Sequence, residues 1–213
     1  MEKLKSNLQN MVAVLVGVAV ICGGLLAYVN ILTKPAIDAQ AEKTLADGIK
    51  AVLAADEVTV QDTKDVTRNV DGKDLVYTVY TTDKGTAVKS TDPNGFGGNL
   101  TVLVGFDEKG TVKGYTVLET AETPGLGAKA GDWFQGAGGE KANIVGKNPG
   151  EVKFTVSKDG GDIDAITAST ITSRSFLRAV QQAYNTFKEK GADANTGATS
   201  QKDADDDDEE EED

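Results

Sequence analysis

The spacing of apolar residues changes along this chain, and each change marks a different kind of element. Between Lys5 and Lys34 there is no charge, and Met11–Val29 is apolar or small throughout. A helix needs about 20 such residues to cross a bilayer core. Residues 8–33 are therefore read as an uncleaved, single-pass transmembrane helix behind a short cytoplasmic segment, 1–7. A cleavable leader would have a shorter apolar core and a small-residue cleavage site, whereas this run continues through Tyr28-Val29-Asn30-Ile31-Leu32. Ile21 rather than a small residue precedes Cys22, which argues against a lipid-anchor cysteine. Cys22, Gly23 and Gly24 read as small packing residues against a partner helix.

Beyond Lys34 the apolar residues thin to helical spacing: Ile37, Ala41, Leu45, Ile49, Val52 and Leu53. Pro35 is placed to open a second helix. Residues 34–56 are thus expected to form an amphipathic stalk, weakened by Gly48.

From Glu57 the pattern becomes alternating, and strands are expected at Val58–Val60, Leu75–Thr82, Thr86–Ser90, Leu100–Asp107, Val112–Glu119 and Val152–Ser157. Glu108-Lys109-Gly110 turns the strongest hairpin. Two glycine-rich pieces flank that hairpin, Asp92–Asn99 (DPNGFGGN) and Glu122–Gly127 (ETPGLG). Either is an ordinary turn or a loop that lets backbone approach a ligand closely. Neither fits a nucleotide phosphate loop or a dinucleotide fingerprint. Gly131–Gly150 reads as a loose surface loop anchored by Trp133 and Phe134, or as a partner contact. Phe176, Leu177, Val180, Ala183, Tyr184 and Phe187 mark one face of a last helix, with Gly191 placed to end it.

Charge narrows the partners. The net charge is −12, but Asp203–Asp213 holds ten acidic residues, and the remainder carries 24 acidic against 22 basic. The body is nearly neutral, with no basic patch to argue for nucleic acid. Residues 191–213 read as a disordered acidic tail. There is no His and one Cys, which excludes zinc sites, a chain-ligated iron–sulfur cluster, an internal disulfide and a Cys/His nucleophile. No metal site is expected, and any redox chemistry needs an organic cofactor. Lys3 and Lys5 favour a cytoplasmic N-terminus, which puts the C-terminal domain on the periplasmic or extracellular side of the cell's inner membrane.

The stretch left over is Asp164–Ser173, DAITASTITS, at the start of the last helix. It crowds Thr167, Ser169, Thr170, Thr172 and Ser173 where unpaired N–H groups and the helix dipole favour an anion. One N-cap needs one hydroxyl, so either an over-supplied cap or a phosphate site fits. Arg174 opposes the dipole in the first turn, and a bound anion there would compensate it.

GFGG (Gly95–Gly98) followed by LTVLVGFD, then ETPGLG, then DAITASTIT opening a helix, occur in an order that resembles the FMN-binding domain family. Within it the likeness is to the G subunits of Rnf electron-transport complexes, with the C subunits of sodium-translocating NADH:quinone reductases next. Those C subunits are longer than this chain. The resemblance covers roughly Asp92 to Phe187 and implies an α+β fold: a transmembrane helix and stalk, then an antiparallel-sheet FMN-binding domain (57–190) with a packing helix at its C-terminal end. It further implies FMN joined by a phosphoester to Thr170 and installed from FAD by a separate flavin transferase. Asp164 and Thr167 are implied as recognition residues. Ala168 and Ser169 replace the family's usual Gly-Ala, and Ser169 offers a competing hydroxyl. Thr172 belongs to the same site, and Glu122, Thr123, Leu126 and Gly127 are implied near the ring.

The expected activity is electron relay within a membrane complex that couples ferredoxin:NAD oxidoreduction to ion transport. Its other membrane subunits and lipid are the expected partners. A quinone-reductase subunit, or a membrane-anchored module binding a phosphorylated ligand without redox chemistry, are the alternatives.

Overall fold

The computed structural model describes residues 8–70 and 72–196, in two compact units that divide between Asp47 and Gly48. The short N-terminal segment and the acidic tail from residue 197 on lie outside the described residues.

The first unit is one helix. α1 runs from Leu8 to Leu53 with Pro35 inside it, so Pro35 does not open a second helix. A proline removes a single N–H from the ladder and costs roughly 3 kcal/mol, which the long regular turns on either side absorb. Its apolar half, with Leu15, Ile21 and Leu26 exposed, is long and apolar enough to cross a membrane.

The second unit begins with the last turn of α1 and continues into five strands. These are β1 (Val60–Val70), β2 (Lys73–Thr82), β3 (Gly85–Asp92), β4 (Leu100–Phe106) and β5 (Val112–Thr120). They pair antiparallel, each with its sequence neighbours, in the order β1-β2-β3-β4-β5. β1 is longer than the alternation at Val58–Val60 suggests and starts only at Val60. Its polar sequence QDTKDVTRNV is largely exposed on both faces of an edge strand and carries no burial pattern to read.

β4 is buried at every position. The last helix, α3 (Thr170–Thr196), covers one face with Phe176, Leu177, Val180 and Ala183. The end of α1 covers the other, where Val52 lies over Gly105 and Gly114. Two covered faces explain why β4 reads as a continuous apolar run rather than an alternation.

Between β5 and α3 the chain is irregular but packed. A turn at Gly127–Lys129 leads into the single helical turn α2 (Ala130–Asp132) and a wider turn at Trp133–Ala137. Gly131–Gly150 is therefore anchored rather than loose. The anchor is Phe134, fully buried and stacked on Phe176 at 4.4 Å between ring centroids and 4° between planes. Trp133 is only half-buried and donates its indole N–H to the Asp164 carbonyl at 3.2 Å. Val152–Ser157 forms no strand: its one ladder contact is an isolated bridge from Val156 to Ile163, because the other residues bond into local turns. α3 also passes through Gly191 to Thr196. A glycine costs a helix only about 1 kcal/mol, and no proline follows to stop it.

Candidate functional site

The chain leaves β5 at Thr120 and at once places a carboxylate in the interior. Glu122 is 7% exposed, and a buried carboxylate must be met by donors. Its Oε1 accepts from the backbone N–H groups of Phe96 at 2.8 Å and Gly97 at 3.3 Å. Its Oε2 accepts from the Thr172 hydroxyl at 2.8 Å. One side chain thus joins the three sequence strings that frame the site: GFGG before β4, ETPGLG after β5, and the start of α3.

The approach is close enough to require glycine. A Cβ at Gly127 would lie 2.7 Å from the Thr172 hydroxyl, and one at Gly95 would lie 2.7 Å from Glu122 Oε1. At Gly97 it would run into the Ala121 carbonyl. The far end of the GFGG loop is held by a second buried carboxylate, Asp92. It accepts from the Asn94 N–H at 3.0 Å, the Ser175 hydroxyl at 2.7 Å and both arms of Arg178 at 2.9 Å.

These segments enclose an open cavity of about 330 Å³, at the small end of ligand-site volumes. Phe96, Glu122, Thr123, Leu126, Gly127 and residues 168–172 line it. Three of its lining side chains are large, apolar and exposed: Phe96, Leu126 and Ile171. Such a mouth suits a flat, apolar group carrying a polar tail.

The hydroxyls sort themselves by environment. Ser173 is buried, donating to the Ser169 carbonyl at 2.9 Å and accepting from the Ile166 N–H at 2.9 Å. Thr172 is committed to Glu122. Thr167 is exposed and off the cavity lining. Ser169, just before the helix, is 8% exposed. Thr170, the first helical residue, is half-buried on the cavity wall, and among the described residues its hydroxyl has no hydrogen-bond partner. The adjoining N–H groups of the first turn lack intrahelical acceptors, so phosphate oxygens there meet both donors and the positive end of the dipole.

Ala168 explains why a glycine is natural two residues before Thr170. Its φ is +61°, in the left-handed region, and a Cβ is strained there.

Asp164 does not line the cavity. It is half-buried, and its carboxylate accepts from the Ser157 hydroxyl at 2.5 Å. Arg174 needs no bound anion to offset the dipole. Its guanidinium makes a bidentate pair with Asp159 at 2.6 and 2.7 Å, which holds the Asp159 carboxyl below the usual carboxylate range. Sequence reasoning also passes over Phe96. Its position inside a glycine string reads as part of a turn, and only the fold brings it to the cavity.

The residues present therefore fit FMN: a free hydroxyl at a helix start for the phosphate end, and apolar side chains for the ring. Comparison with known proteins agrees. Residues 95–185 match the FMN-binding domain family, and residues 1–52 match the RnfG N-terminal region. The chain is 37% identical over 171 residues to the G subunit of the ion-translocating oxidoreductase complex of Escherichia coli K12, an overlap of 75% of this chain and 81% of that protein. It is 34% identical over 176 residues to the corresponding protein of Erwinia tasmaniensis, covering 77% and 82%. For the corresponding protein of Shewanella piezotolerans the identity is 31% over 215 residues, covering 87% and 93%. This chain belongs to the family of G subunits of ion-translocating oxidoreductase complexes and carries that family's FMN-binding domain.

Proposed function

We propose that the chain is the membrane-anchored flavoprotein subunit of an Rnf-type complex, with FMN held covalently through a phosphoester to Thr170. The observation that supports this most is the Thr170 hydroxyl, which is unpartnered among the described residues and opens onto the cavity, while Thr172 and Ser173 are bonded elsewhere and Ser169, also unbonded through its side chain, is more deeply buried. Attachment from FAD balances simply. The Thr170 oxygen bonds to the phosphorus of the FMN half, the pyrophosphate bond breaks, AMP leaves, and the hydroxyl proton passes to a base of the transferase.

A tether answers a physical problem. A helix start stabilises a charged group by only about 0.3–1 kcal/mol, or ~2 when partly buried. Micromolar retention takes about 8 kcal/mol. An open cavity with a few hydroxyls at a helix start is a weak reversible site, and a phosphoester removes the need for affinity. The redox chemistry is that of the bound flavin. The chain's part is to hold the phosphate at the α3 start, to shield part of the ring with Phe96, Leu126 and Ile171, and to keep the loops in place through Glu122. In this reading the N-terminus is cytoplasmic and the flavin domain lies across the inner membrane, where electrons pass between neighbouring subunits.

Intact-mass measurement tests the tether. Full-length protein co-expressed with a flavin transferase should gain the mass of FMN less water and give a fluorescent band that survives boiling in detergent. A colourless, unmodified chain under those conditions overturns the reading.

A further inference from the structure

We propose that Phe96 is the residue that covers the flavin ring, closing the mouth of the cavity over it; this rests on the FMN reading above. Among the described residues after α1, Phe96 is the most exposed large hydrophobic side chain, at 69%. Nothing about its backbone is loose. Its own N–H is bonded to Glu122 at 2.8 Å, and Gly95 and Gly97 on either side have no room for a Cβ. Asp92 fixes the loop at its other end through α3. A large aromatic ring on a loop clamped at both ends, standing in water and lining a cavity, is held ready for a partner surface. The cavity supplies that surface's location. Leu126 and Ile171 approach the same space from the ETPGLG loop and from α3, so a ring seated there meets apolar groups from three segments. Aromatic pairs favour offset or edge contacts at about 4.5–7 Å between centroids, and rotation of an exposed side chain suffices to reach one. Thr170 and Phe96 then divide the work: the hydroxyl retains the cofactor, and the phenyl ring governs how much of it water and electron partners can reach.

The test uses full-length protein loaded by the transferase, with loading measured by mass for every variant. Phe96→Trp places an electron-rich quencher over the ring, and flavin emission per adduct should fall several-fold. Phe96→Ala should load fully, and iodide should quench its flavin several-fold more strongly than in the native protein. Val76→Trp, exposed on β2 away from the cavity lining, should leave emission unchanged. Unaltered emission and iodide access in the loaded Phe96 variants overturn the proposal. Loss of loading in a folded Phe96→Ala protein overturns it as well, since that would place Phe96 in attachment rather than in covering. Absence of an adduct from the native protein would instead strike the tether itself, and the mass measurement separates the two.

Discussion

Thr172 donates its hydroxyl to Glu122 across 50 residues of sequence, at 2.8 Å, and both groups are buried. That bond ties the start of α3 to the two loops that shape the cavity. Glu122→Ala would strand two backbone N–H groups and one hydroxyl, at a cost of about 3 kcal/mol. Glu122→Gln, which can still accept from the loop and bond to Thr172, should cost about 1 kcal/mol. Urea unfolding of the sheet domain in the detergent-solubilised chain measures both, and equal losses would deny the bridging role.

Thr170→Ala should abolish flavin attachment and leave unfolding unchanged, because its hydroxyl supports no bond among the described residues. Peptide mapping of the co-expressed variant checks this. An adduct on Ser169 would show that the nearly buried neighbour can serve.

Ala168→Gly should stabilise the protein. Relieving a left-handed alanine gains roughly 1–2 kcal/mol, partly offset by the greater freedom of glycine in the unfolded chain. A net gain of about 0.5–1 kcal/mol, read as a higher Tm with flavin loading retained, is the expected result.

Phe134→Ala should cost about 3–5 kcal/mol, as for other buried aromatics, by emptying the stack on Phe176. Trp133→Ala should cost clearly less, since it removes one hydrogen bond and a half-buried ring. Comparing the two unfolding midpoints tests which residue anchors the segment.

The Asp159–Arg174 pair gives a pH dependence with a definite sign. Its aspartate titrates below the usual range in the fold because Arg174 bonds the charged form. Its stabilising contribution is therefore complete above the unfolded value, about 4, and is lost as pH falls through the lower folded value. The stability difference between native protein and Asp159→Asn should be constant near neutral pH and vanish in strong acid. A difference that persists there would assign the effect to packing.

The sequence patterns that revealed the fold were those set by burial on one or two faces. The β4–β5 hairpin and the α3 face were legible because Val102, Val104, Phe176 and Val180 share a core. β1 was not, because its pairing is made by backbone groups that no side chain advertises. Pro35 and Gly191 misled as punctuation, since each is a penalty that a long helix can outweigh. At the site, the three strings could be read, and they do come together around one cavity. What pattern could not show was that Glu122 faces inward to join them, rather than only edging the ring, or that Asp164 is turned toward Ser157.

The meander joins every strand to its immediate predecessor, so the sheet can assemble from the ribosome outward with only short loops to close. Thr170, the proposed acceptor, stands at the head of the last of the described elements, and its surroundings come from loops made long before. An enzyme that recognises this acceptor in its folded setting can modify only chains that have already closed their core. Cofactor attachment would then act as an inspection step, and a bright flavin would certify a finished domain.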